Sequence, residues 1–241
     1  MRRFKKNMAK QEFPEEWHKR ESHIVVALFL VICLVVLHPF VVFAQIEGDV
    51  SGHWPGDLGL GPDDVIEITG SINVPVGDTL EIDPGTSIAF VSNAFRLTVY
   101  GRLIAIGDSA NKILFYQREF RHWYGLIFVQ NEGNESILEW CEIRNAAFGI
   151  DCRNSSPILR HNIITADNYG INCTRSSPEI ANNTIIVGSD LTITQPNGIF
   201  LQERSNATIT GNWIEVNTSS SLDATGINIR STSSPVISRN W

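Results

Sequence analysis

Gly149-Ile-Asp-Cys-Arg-Asn-Ser-Ser-Pro-Ile-Leu-Arg-His-Asn162 returns 21 residues later as Gly170-Ile-Asn-Cys-Thr-Arg-Ser-Ser-Pro-Glu-Ile-Ala-Asn-Asn183. A third copy runs from Gly198-Ile199 to Gly211-Asn212-Trp213-Ile214. A fourth runs from Gly226-Ile227 through Ser234-Pro235-Val236-Ile237 to Asn240-Trp241, and a more divergent one from Gly125-Leu126 to Leu138 and Ile143. After each glycine, apolar residues alternate with polar ones: Ile150 and Cys152, Ile171 and Cys173, Ile199 and Leu201, Ile227 and Ile229. A second short strand centres on Leu159, Ile180, Ile209 and Ile237, and a third carries Ile164/Ala166, Ile185/Val187 and Ile214/Val216. A period of two belongs to extended strands and not to a helix. Three such strands in every 21 residues cannot bury three apolar stripes as hairpins. Winding does bury them, with successive turns stacked about 4.8 Å apart and equivalent residues in columns. The expected fold class is all-β, a solenoid of parallel strands.

Three residues beyond each middle-strand position stand Asn162, Asn183, Asn212 and Asn240, with Cys141 at the same place in the first copy. Loose turn chemistry tolerates drift by one position, whereas this offset does not vary. Stacked side-chain amides would hydrogen-bond up the column and satisfy a buried bend. Upstream, Val65–Ile68, Leu80–Ile82, Ile88–Phe90, Leu97–Val99, Leu103–Ile106 and Ile113–Phe115 alternate in the same way, with glycine and proline between them. The coil is therefore expected over residues 65–241, with 45–64 as a linker or cap over its open end.

The first 44 residues stand apart. Arg2, Arg3, Lys5, Lys6, Lys10, Lys19 and Arg20 precede the apolar run Ile24–Leu37, and Val42-Phe43-Ala44 offers a small-residue exit. That order describes a secretory signal, so the location expected is secreted, periplasmic or cell-surface. A retained anchor is the rival reading, since Ile24–Ala44 is long enough to span a bilayer; His38-Pro39 interrupts it. Membrane contact is expected only through residues 24–44, if uncleaved. Residues 1–44 hold 7 of the 19 basic and 4 of the 26 acidic residues, so the remainder has formal charge −10. A surface of that sign repels nucleic acid and anionic membranes, and disfavours long uronic-acid polymers unless calcium bridges the charges.

Further stretches carry a resemblance. Asp83-Pro-Gly-Thr86, Leu97-Thr-Val-Tyr-Gly101-Arg-Leu-Ile-Ala-Ile-Gly107 and His122-Trp-Tyr-Gly125-Leu-Ile-Phe128 are similar to entry and Trp-x-Gly segments of a known family. Together with the repeat, they make residues 65–241 resemble the right-handed parallel β-helix proteins of the pectin-lyase-like superfamily, especially bacterial exported ones. The resemblance implies the fold, and with it two functional classes: polysaccharide lyases and hydrolases on one side, binding or surface proteins on the other.

Chemistry was sought on the outward columns. One reads Ile127, Asp151, Asn172, Phe200, Asn228; the next reads Val129, Arg153, Thr174, Gln202, Arg230. A glycoside hydrolase needs two carboxylates on one face, and these columns hold Asp151 alone, expected as a surface ion pair with Arg153. Asp151, Arg153, Asn172, Gln202, Asn228 and Arg230 form instead a polar strip suited to hydroxyl-rich ligands; solvated exterior is the plain alternative. The connections Gly188–Asn197 and Asn217–Thr225 are longer than Ala166–Gly170 at the same angular position, and insertions of that kind wall binding faces. Trp123, Tyr124, Trp140 and Trp213 could stack on sugars, but core or cap is the reading preferred for Trp140 and Trp213. His122 and His161 lack metal-ligand spacing, and neither a metal nor a cofactor is expected. Cys141, Cys152 and Cys173 fit buried small hydrophobes, with a Cys152–Cys173 bridge left open.

The expected function is a non-catalytic exported scaffold that binds glycans or mediates surface contacts. The alternative is a carbohydrate-active enzyme with active groups partly outside this chain. Trp241 falls in mid-rung, so a C-terminal continuation or a capping partner is expected as well.

Overall fold

The computed structural model describes residues 46–56, 65–118, 122–130, 135–189, 195–218 and 223–241. The expectations for residues 1–44 lie outside these. All described residues belong to one compact unit, Phe43–Trp241. They form twenty strands, and every strand pairing among them is parallel. Each turn of the coil visits three faces. The first stacks Ser87–Phe90, Ile113–Gln117, the start of Cys141–Arg153, the start of Ile163–Thr174, Thr184–Ser189 and Trp213–Thr218. The second stacks Arg96–Val99, Gly125–Val129, the ends of the same two long strands, Asn197–Gln202 and Thr225–Ile229. The third runs from Gly52–Trp54 to Val236–Ser238 as a separate sheet of eight strands.

The inward columns are the predicted ones. Ile150, Ile171 and Ile199 stand in register, as do Cys152, Cys173 and Leu201, and all are fully buried. Leu138, Leu159, Ile180 and Ile209 form the matching column on the third face. On the rung of Val236–Ser238, Ile237 is 41% exposed where Ile209 below it is 0%. The described part of the segment read as linker or cap adds a short extra turn. Ile46–Asp49 pairs with Ile66–Val74, and Gly52–Trp54 with Thr79–Ile82.

The Asn ladder forms as expected. Asn162 Oδ1 accepts from the Cys141 N–H at 2.9 Å, Asn183 Oδ1 from the Asn162 N–H at 2.9 Å, Asn212 Oδ1 from the Asn183 N–H at 2.9 Å, and Asn240 Oδ1 from the Asn212 N–H at 2.9 Å. Each amide also donates to the carbonyl of the rung below, at Leu138, Leu159, Ile180 and Ile209. The residue before each ladder position (Trp140, His161, Asn182, Gly211, Arg239) has a left-handed backbone, φ 53° to 69°. That conformation is unfavourable for all but glycine and tolerated by asparagine; here it turns the next side chain inward, where the ladder bonds hold it.

A second ladder escaped the sequence reading. Ser176 Oγ accepts from the Ser155 N–H, Ser205 Oγ from the Ser176 N–H, and Ser233 Oγ from the Ser205 N–H, at 3.0 to 3.2 Å. The signal was present, since each serine lies four residues before a middle-strand residue, but Ser-Ser-Pro also reads as ordinary turn chemistry.

Candidate functional site

The glycine that opens each repeat sets the geometry of the second face. A Cβ on Gly170 would stand 2.3 Å from Ile185 Cγ2 and 2.6 Å from the Gly198 carbonyl oxygen; Gly149 and Gly198 meet equivalent atoms of the rung above. Their role is close approach of backbone to backbone at the corner between the first and second faces. The strands that follow hold the candidate side chains in register: Asp151 beside Asn172, Asn172 beside Phe200, Phe200 beside Asn228, and in the next column Arg153, Thr174 and Gln202.

The expected Asp151–Arg153 pair forms, with Arg153 Nε donating to Asp151 Oδ2 at 2.9 Å and a second guanidinium nitrogen meeting the same oxygen. It is not the surface pair expected, because Asp151 is only 3% exposed. The Tyr124 hydroxyl also bonds Arg153. The carboxylate, with the Tyr124 bond beside it, holds Arg153 still more firmly protonated than usual. Asn172 Nδ2 also donates to Asp151 Oδ1 at 2.9 Å. Asn172 Oδ1 is then the buried polar atom of this face left without a partner among the described residues. Gln202 Nε2 donates to Thr174 Oγ1 at 3.1 Å, Asn228 Nδ2 donates to Asn197 Oδ1 at 2.8 Å, and the Arg230 guanidinium lies over the Phe200 ring. All six candidates thus lie on one face, already bonded to one another or to rung neighbours.

Beside them runs a feature the sequence reading missed. Tyr124, Phe148, Tyr169 and Phe200 form a continuous column of rings with centroids 5.2 to 5.8 Å apart. Arg96 covers the Tyr124 end and Arg230 the Phe200 end. Phe148 and Tyr169 are stacked at 14°, while the Tyr124–Phe148 and Tyr169–Phe200 pairs are tilted by 39° and 35°. Phe148 and Tyr169 each precede a repeat glycine, and that shared offset was the available signal.

The remaining aromatics divide between core, corner and surface. Trp123 is buried, stacked on Phe90 with centroids 4.1 Å apart, and its Nε1 donates to the Arg144 carbonyl. Trp140, read as core or cap, lies at a corner stacked on His161. Trp213, read the same way, is 55% exposed; Ile214 points inward, so period two turns Trp213 outward. His122, discounted for lack of metal-ligand spacing, places Nδ1 2.6 Å from Asp167 Oδ2. Cys141, Cys152 and Cys173 are free, buried thiols. A bond to Cys173 and burial together push the Cys152 thiol well up, leaving it unreactive.

The two long connections leave the first face from neighbouring residues, with Gly188 beside Asn217, and return with Asn197 beside Thr225. Residues 190–194 and 219–222 within them lie outside the described ones. No group of three or more potential metal ligands occurs among the described residues.

A family model for the right-handed β-helix region matches residues 84–241. No curated protein and no solved structure matches the chain.

Proposed function

The chain belongs to the right-handed β-helix family, and from that premise we propose that it is an exported, non-catalytic scaffold whose second face binds glycans. The observation that carries this reading is the in-register set Arg153, Thr174 and Gln202 beside Asn172 and Asn228, with Arg230 just past the end of its strand. Hydrogen-bonding groups repeated at rung spacing on a rigid wall suit a polymer with hydroxyls at every unit, because little side-chain ordering remains to oppose binding. Asp151 is ill suited to proton transfer, since its carboxylate is covered and held by Arg153 and Asn172. A glycan array on the full chain, with reducing-sugar and unsaturated-product assays in parallel, tests the proposal. Binding without turnover is expected; release of products from any polysaccharide would overturn it.

The enzyme reading is favoured by one observation, the His122–Asp167 pair. A carboxylate on Nδ1 fixes the imidazole tautomer and turns Nε2 outward as a base. Turnover abolished by His122→Ala would replace the scaffold with a carbohydrate-active enzyme.

A further inference from the structure

We infer that the ligand of the second face is a neutral polysaccharide, rich in hydroxyls but without carboxylate or sulfate groups; this rests on the glycan-binding reading above. Acidic polymers are held by cations free to pair with them. On this face the cations are already engaged. Arg153 is spent on Asp151. Arg175 donates to Asn154 Oδ1 at 2.9 Å and meets Glu203 Oε2 at 2.6 Å. Arg230 and Arg96 lie over Phe200 and Tyr124, 5.3 and 5.4 Å from the ring centroids. Arg204, in the turn beyond the face, is the nearby guanidinium with neither a carboxylate nor a ring against it among the described residues. The acidic balance of residues 45–241, formally −10, adds repulsion of any polyanion.

What the face still offers is neutral: the Thr174 hydroxyl and the amides of Gln202 and Asn228. The aromatic column is occupied in a way that disfavours the other common mode of holding sugars. Its rings lie against one another and the two arginines lie over its end rings, so recognition falls mainly to hydrogen bonds with hydroxyls. A chain running along the coil axis would meet one such group per rung.

The test is calorimetry on the full chain with a mixed-linkage β-glucan and a galactomannan as neutral probes, and polygalacturonate and alginate as acidic ones. Each is measured at about 0.1 M and about 1 M NaCl, between which the screening length falls from about 10 to about 3 Å. Neutral binding should change less than about twofold with salt, because no charge pairing supports it. Gln202→Ala and Thr174→Ala should each weaken it by about 2- to 10-fold, the effect of one neutral hydrogen bond, with melting curves confirming that the variants fold. Glu203→Gln, an isosteric change at an exposed position, releases Arg175 and should add salt-sensitive affinity for polygalacturonate. Failure of that gain would overturn the argument from engaged cations. Preferential wild-type binding of an acidic probe, lost at high salt, would overturn the neutral ligand and leave glycan binding standing. Binding of no polysaccharide at either salt would overturn the glycan-binding reading itself.

Discussion

In the rungs up to Val129 the corners combine backbone bonds between rungs, such as the Gly85 N–H to the Asn111 carbonyl and the Gly107 N–H to the Glu139 carbonyl, with bonds inside the same turn. Asp108 Oδ1 accepts from the Ala110 and Asn111 N–H groups at 2.7 and 2.8 Å, Thr86 Oγ1 donates to the Asp83 carbonyl at 2.7 Å, and the Asp78 N–H to the Pro75 carbonyl. From Cys141 onward the corners are closed by the rung above, through the Asn and Ser ladders. The interiors differ as well. The lower rungs put Phe90, Phe115, Trp123 and Phe128 in their core, whereas the upper core is aliphatic, with Ile150, Leu159, Ile171, Ile180 and Ile199 beside Cys152 and Cys173. A wide aromatic core tolerates irregular corners, because packing area holds each rung. A core of smaller residues goes with corners that repeat without drift. Damage in the lower region should therefore follow lost volume, and damage in the upper region lost register.

Trp123→Ala should have the largest effect. Removing a buried indole costs about 3–5 kcal/mol, read as a lower denaturation midpoint of the full chain. Asn183→Ala tests the upper region in the same way. It strands the Asn162 N–H and the Leu159 carbonyl, and two buried groups left without partners cost about 2–4 kcal/mol. Asn240→Ala, at the partly exposed end of the ladder, should cost about 1 kcal/mol. Equal effects for the two asparagines in chemical denaturation would remove the ladder from the comparison. Gly170→Ala should cost about 1–3 kcal/mol through overpacking against the rung above, measured as a fall in melting temperature.

The smallest effect belongs to Asp108. The Asn111 side chain, with the Asn111 and Ala110 N–H groups, holds this carboxyl below its ordinary value. A depressed carboxylate contributes stability above its unfolded pKa and loses it as pH falls through the folded one. Wild type should therefore exceed Asp108→Ala at neutral pH, and the two should converge below about pH 4. A gap that persists into acid would show that the corner depends on something besides these bonds.

The candidate face was only partly legible. Period two named the outward columns, and register put Asp151, Asn172 and Asn228 in one line with Phe200 between them. Burial of Asp151 was not legible, because its neighbours come from other rungs: Asn172 bonds it from the rung above, and Tyr124, 27 residues earlier on the rung below, bonds its partner Arg153. The His122–Asp167 pair was hidden for the same reason, since its partners are 45 residues apart and neither lies in a repeated motif.

By itself the sequence determined the coil, the 21-residue rung and the Asn ladder. Each follows from a spacing along the chain, and in a stack of in-register parallel strands equal spacing becomes contact. Only the tertiary structure decided which outward groups are free. That depends on side chains leaning across columns at the corners, and no period along the chain encodes the direction in which a side chain leans.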